Sequence, residues 1–439
     1  MPDLTKRPAP PTLTSEERPI FSKTRKFLAS DGDYARVKGA DLYPYFRPIE
    51  VAEGTQAVIR GRKVIMAGSN NYLGLTNHPR VVEAAQQAIA DYGTGCTGSR
   101  FLNGTLDLHL ELERRLAAFM GKENCVLFST GYMTNQGVVQ CLASKGDLIF
   151  SDKDNHACIV AGTQTSLAET VRYRHDNVSH LERLLEKYDE ERPEAGKLIV
   201  SDGVFSMNGK LAKIPELLAL AREFDAALLI DDAHAIGVVG EGGRGSADVF
   251  GLRGEIDLIT GTFSKSFASL GGFVVGSDEV MEYIRHSAST HIFSASMPAA
   301  NVATVLACLD ILTEEPERLD RLDAISTYMR DGFRNLGFNV WTSQTPIIPV
   351  VVGDMITCFQ FWKDLLEEGV FVNAVVPPAV PKGQSLMRTS YMATHTDEEL
   401  DFILDAFERV GRRHGVIGKN GQPGPNGHAT NGQGHSVTG

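Results

Sequence analysis

The sequence predicts an α/β protein with a mainly parallel central sheet in a large domain and a smaller α+β C-terminal domain. Three observations predict it. Short, nearly continuous apolar runs alternate with amphipathic stretches, as when parallel strands are covered by helices on both faces. Polar and titratable residues gather where those runs end, the edge at which open α/β sheets bind ligands. After about residue 296 the pattern turns helix-rich, with only a few short strands.

Residues 1–60 read as an N-terminal arm and segment, opening with the proline-rich MPDLTKRPAPPTLTSEERPIF, which lacks the apolar core of a signal peptide. Residues 61–295 form the large domain. Helices are expected at HPRVVEAAQQAIADYG and LDLHLELERRLAAFMG, where apolar residues recur with helical spacing. Strands are expected at NCVLFST, DLIFSD, KLIVSDGVF, AALLIDDAH, DLITGTF and GGFVVGS, with a helix at PELLALAREFD. Residues 296–414 form the small domain, with strands at IIPVVV and LMRTSYM and a last helix at TDEELDFILDAFERVGRRHG. The tail, residues 415–439, is rich in Gly, Asn and Pro, offers almost nothing to bury, and is expected to be disordered.

Net charge is −12, which disfavours a nucleic-acid surface while leaving room for a local anion site. The six cysteines are scattered without C-x-x-C or His/Cys ligand spacing, so free thiols in a reducing compartment are expected and no metal site. No apolar run approaches the ~18 residues of a membrane span, and a cytoplasmic location is the simplest expectation.

The ends of the strands carry the chemistry. Asp231-Asp232 close one apolar run and His234 follows; the pair is either a solvated turn or a carboxylate and an imidazole held at the ligand edge. His156 follows DLIFSD, and Asp202 and Ser206 follow KLIV. STGYMTNQGVV passes from strand through Gly131 and Tyr132 into a helix, whose first N–H groups can seat a phosphate. Lys265 follows DLITGTF, flanked by Thr262, Ser264 and Ser266. One cofactor uses all of these: pyridoxal 5'-phosphate (PLP), whose aldehyde needs a lysine, whose phosphate needs N–H and hydroxyl donors, and whose ring nitrogen needs a carboxylate.

The segments STGY, DKDNHA, DGVFSMNG, IDDAHAIGVVGEGGRG and GTFSKSFASLGGF together resemble the α-oxoamine synthases, a branch of the fold-type I PLP enzymes, from about Tyr43 to about Arg413. The resemblance implies the PLP-dependent transferase fold type I. It implies Lys265 as the Schiff-base lysine, Asp231 as the partner of the ring nitrogen, and His156 stacked on the ring. His234 and Ser206 would lie near the phenolic oxygen, and Thr262, Ser264 and the backbone of Gly131 and Tyr132 at the phosphate. Ser294 would reach the phosphate of a neighbouring subunit, which implies a homodimer with shared sites. Arg388 would bind the amino-acid carboxylate, with Asn70 as a second contact.

Within the family, LYPYFRPIE, RHSASTHIFSASMPAA, SQTPIIPVVV and GVFVNAVVPPAVPKGQSLMRTSYMATHT most resemble the bacterial serine palmitoyltransferases. That implies condensation of L-serine with a long-chain acyl-CoA, palmitoyl-CoA, to 3-ketosphinganine, CoA and CO2. Val375-Val376 depart from members with an arginine before this Pro-Pro. Glycine C-acetyltransferase and 8-amino-7-oxononanoate synthase are the alternatives, because the acyl pocket is not a short motif. The basic stretch SKTRKF is a candidate for a peripheral membrane contact or for the CoA phosphates.

Overall fold

The computed structural model describes residues 18–418, so the arm before residue 18 and the tail from residue 419 lie outside the described residues. Three short strands open the described chain after two short helices: β1 (Val51–Glu53), β2 (Gln56–Ile59) and β3 (Arg62–Met66). They were not expected from the sequence. β1 is exposed throughout, and only β2 shows the alternating burial of a strand.

The central sheet comprises β4 (Asn124–Phe128), β5 (Leu148–Asp152), β6 (Glu169–Tyr173), β7 (Lys197–Asp202), β8 (Ala227–Asp231), β9 (Leu258–Thr262) and β10 (Gly272–Gly276). Its order is β4-β10-β9-β8-β7-β5-β6, and β10 alone runs against its neighbours. The reason is local. β9 returns to β10 through a short loop with no crossover helix, and only an antiparallel partner can be reached that way. That loop carries Lys265.

Both faces of the sheet are covered, and β5, β9 and β10 are buried along their whole length. The helix Ala299–Glu314 contributes Val302, Leu309 and Leu312 to the core around Phe150, Ile199 and Phe273. A second core gathers Phe333, Phe361, Trp362 and Phe407 with Val37 and Ala67 from the N-terminal segment. Beside it β11 (Ile347–Gly353), β13 (Asn373–Val375) and β14 (Ser385–Ser390) form an antiparallel sheet, while β12 (Val370–Phe371) pairs with β3.

The last helix, Asp397–Arg413, starts at a capping box: Thr396 Oγ1 accepts from Glu399 N and Glu399 Oε2 from Thr396 N, both at 3.2 Å. Glu399 Oε1 also accepts from Thr55 and Gln56, at 2.8 and 2.7 Å, tying the helix to the N-terminal strands. One expectation needs correction at the helix end. Val416 and Ile417, within the stretch read as disordered, are buried in the second core, because the chain folds back onto Gly411. The six cysteines are free. Among the described residues no helix is long and apolar enough to cross a membrane.

Candidate active site

The strand register places the site. Asp202 and Asp231 end neighbouring strands opposite each other, and Asp231 faces Thr260 on the next. Above them opens a cavity of about 240 Å³, lined by Gly131, Tyr132, His156, Ser206, Asp231, His234, Thr262, Ser264 and Lys265. Nine separate expectations from the sequence thus meet in one place. Asp202, noted in the sequence as a strand end, lines it too, with Asn135 and Cys158, which the sequence did not single out.

Asp231 is held from three sides. Asn135 Nδ2 donates to its Oδ2 at 2.7 Å, Ala233 N donates to its Oδ1 at 3.0 Å, and the Cys158 thiol lies 3.8 Å from Oδ2. Thr260 Oγ1 donates to Asn135 Oδ1 at 2.8 Å, which turns the amide nitrogen toward the carboxylate. Burial pushes Asp202 well above the usual carboxylate range, and the charge of Asp231 adds to that.

His156 caps the helix Ala157–Thr165 with its own ring: Nδ1 accepts from Cys158 N at 3.2 Å. Burial lowers its pKa, so the ring is neutral and the proton belongs on Nε2. His234 is also held neutral, by burial first and then by the positive charges of Lys265 and Arg388. Its Nδ1 lies 2.8 Å from the Tyr72 hydroxyl.

Arg388 comes from β14 in the other sheet and is buried. Its Nε donates to the Ser206 carbonyl at 2.7 Å and its Nη1 to Asn70 Oδ1 at 3.1 Å. Two of five donors therefore fix the guanidinium plane, and the others remain for a carboxylate. Asn70 and Arg388, paired by the sequence reading, are in contact.

Burial lowers the Lys265 amine to about 8, against the opposing pull of Asp231. Close by is a cradle of donors. Thr130 caps the helix Gly131–Leu142, and the first two N–H groups, of Gly131 and Tyr132, precede its first internal bond. Thr262 Oγ1 and Ser264 Oγ lie 3.0 Å apart beside them. A Cβ on Gly131 would sit 2.7 Å from Thr262 Oγ1, so glycine lets that hydroxyl approach the helix start. The donor set fits PLP: an amine for the aldehyde, a carboxylate for the ring nitrogen, and backbone and hydroxyl donors for the phosphate.

Ser294 is not brought into this cavity. It lines a small recess with Arg100, Ser129 and His291. A larger cavity of about 740 Å³ lies at the opposite ends of the strands, but its charged groups are spoken for within the chain. Lys122 donates to the Gly254 carbonyl at 2.7 Å, Lys197 pairs with Asp189 at 2.7 Å, and Asp257 accepts from Leu228 N at 2.8 Å.

The chain matches the aminotransferase class I and II family over residues 62–407. It is 46% identical to the serine palmitoyltransferase of Sphingobacterium spiritivorum over 374 residues, 85% of this chain and 93% of that one. It is 42% identical to the 8-amino-7-oxononanoate synthase of Thermoanaerobacter pseudethanolicus, over 87% of this chain and 96% of that one. Among solved structures it resembles the S. paucimobilis serine palmitoyltransferase holding PLP and myriocin, with a TM-score of 0.87 and 37% identity over 91% of this chain and 100% of that one.

Proposed function

Because the chain belongs to the aminotransferase class I and II family, as a PLP-dependent acyltransferase of the α-oxoamine synthase branch, we propose that it joins L-serine to a long-chain acyl-CoA. With palmitoyl-CoA the products are 3-ketosphinganine, CoA and CO2, the first step of sphingolipid biosynthesis. The observation that carries the reading is Arg388, held rigid by Ser206 and Asn70 beside the lysine cavity as a carboxylate receptor. The likeness to serine palmitoyltransferases supports serine and a long acyl chain.

PLP, when bound, supplies an aldehyde for the substrate amine and an electron sink for charge developing at Cα. Arg388 binds the substrate carboxylate through its uncommitted donors. Lys265 removes the Cα proton; an amine lowered to about 8 is neutral often enough to do so near neutral pH. Asp231, steadied by Asn135, would hold the ring nitrogen and its proton. His156, which lines the cavity, would help hold the cofactor, and its Nε2–H would hold the substrate carboxylate so that the Cα–H bond breaks before the bond to the carboxylate. Thr262, Ser264, Gly131 and Tyr132 would hold the phosphate, and Ser206 and His234 would hold the phenolic oxygen.

The same reading makes the protein a cytoplasmic homodimer in which Ser294 reaches the phosphate site of the neighbouring subunit. It divides the chain into a large domain at 61–295 and a small one at 296–414, with the helix Ala299–Glu314 of the latter packed into the core of the large sheet. A second reading, an 8-amino-7-oxononanoate synthase joining alanine to a pimeloyl thioester, is favoured by the likeness to that enzyme. Mass spectrometry of products from serine, glycine or alanine with short to long acyl-CoAs tests both. Product from serine and palmitoyl-CoA alone supports the first reading; product only from alanine or glycine with a short chain overturns it.

A further inference from the structure

Tyr72 lies in the loop after β3 with no solvent exposure, and the function described above does not use it. Its hydroxyl is 2.8 Å from His234 Nδ1 and 3.3 Å from Asn70 Oδ1. Asn70 Oδ1 already accepts from Arg388 Nη1 at 3.1 Å, a charge-assisted bond.

A phenol has one proton to give. Given to Asn70, it obliges His234 Nδ1 to donate to the phenol oxygen, which strips Nε2 of its proton. Given to His234 Nδ1, it leaves the proton on Nε2. Distance and competition favour the second arrangement: the imidazole nitrogen is nearer, and the Asn70 oxygen is occupied by a cation's donor. Burial keeps Tyr72 protonated. Burial, and then the positive charges of Lys265 and Arg388 facing His234, keep that ring neutral beside the neutral His156.

We propose that Tyr72 is a positioning residue that fixes His234 as the Nε2–H tautomer. The proposal rests on the reading above only in placing the phenolic oxygen beside His234.

Two measurements test it. In 15N-histidine NMR of the PLP-loaded wild-type protein, His234, assigned by its loss in His234→Gln, should show a protonated Nε2 and a bare Nδ1. A protonated Nδ1 overturns the proposal, whatever becomes of any Tyr72 variant. Tyr72→Phe keeps the ring and removes the hydroxyl. In the loaded variant the pH midpoint of the cofactor's visible band should rise by about one unit, because the deprotonated form loses a donor to its oxyanion. A midpoint equal to wild type overturns the proposal even if turnover or melting temperature falls. Neither measurement needs an amino acid, so failure to use serine would sink the proposed reaction without touching this one.

Discussion

Asn135 Nδ2 donates to Asp231 Oδ2 at 2.7 Å, and Thr260 fixes the amide in that sense by donating to Asn135 Oδ1 at 2.8 Å. Asp231 is buried, so these bonds take the place of water around its carboxylate. Asn135→Leu keeps the volume and removes the donor. A hydrogen bond to a charged group contributes about 1.5–3 kcal/mol, or about 10- to 100-fold in an equilibrium. The dissociation constant for PLP, read by absorbance titration, should rise by that factor. An unchanged constant would show that the carboxylate needs no such support.

Lys265 is the one amine in the cavity lined by the ring-binding candidates. Lys265→Ala should abolish turnover and the visible band of the loaded protein while the fold persists, since a buried cation is costly and its loss relieves the interior. Normal product formation by this variant would end the proposed mechanism.

Arg388→Lys replaces a planar fork with a point charge. Both anchoring bonds, to Ser206 and to Asn70, depend on the fork. We expect KM for the amino acid to rise about 10- to 100-fold with KM for the acyl-CoA near wild type. Equal rises in both constants would point to a general disturbance of the site and not to carboxylate recognition.

The buried Glu113 and Arg100 form a cluster with the half-buried Arg285. Arg100 grips both carboxylate oxygens, at 2.9 and 3.1 Å, and Arg285 adds a contact at 3.2 Å. Burial alone would raise its pKa, but the two arginines prevail and hold it below the ordinary value of 4.5. A depressed carboxylate contributes stability above its unfolded pKa and loses it as pH falls through the folded one. Glu113→Gln leaves the buried Arg100 and the half-buried Arg285 without their anion and should cost about 3–5 kcal/mol at neutral pH. In urea unfolding, the gap between wild type and variant should close below about pH 4; a gap constant with pH would contradict the ionised cluster.

The residues that line the cavity were legible because strands deliver them. An apolar run ending in Asp-Asp, or in Gly-Thr before a lysine, marks the end of a strand, and open α/β sheets bind ligands at that edge. Asn135 was not legible for the opposite reason. It sits one turn into a helix, where a polar residue looks like part of a solvated face, and only the sheet's register shows that this face meets Asp231. Tyr72 reads as an ordinary core aromatic until its hydroxyl is seen against His234. β1 to β3 escaped notice because their sheet is completed by β12, some 300 residues later, a pairing that local pattern does not carry. Ser294 lies apart from the cavity within one chain, and its proposed role needs a second copy.

Asp232 adjoins Asp231 in sequence but faces a different environment. It is fully buried, accepts from Ser246 N at 2.9 Å and from the Ser246 hydroxyl, and burial lifts its pKa from 3.8 to about 7. The sign of the consequence is opposite to that at Glu113. Between about pH 4 and pH 7 the folded chain holds a proton here that the unfolded chain has lost, so folding is penalised progressively as pH rises. The slope is about 1.4 kcal/mol per pH unit within that window and vanishes above it. Asp232→Asn cannot ionise and keeps an oxygen for Ser246 N, so it should remove the slope. Wild type and variant should therefore diverge in urea unfolding from about pH 4 to pH 7, in the variant's favour, and run parallel at higher pH. A difference constant over the whole range would mean that Asp232 stays charged when buried, and that the two Ser246 bonds are strong enough to hold the charge.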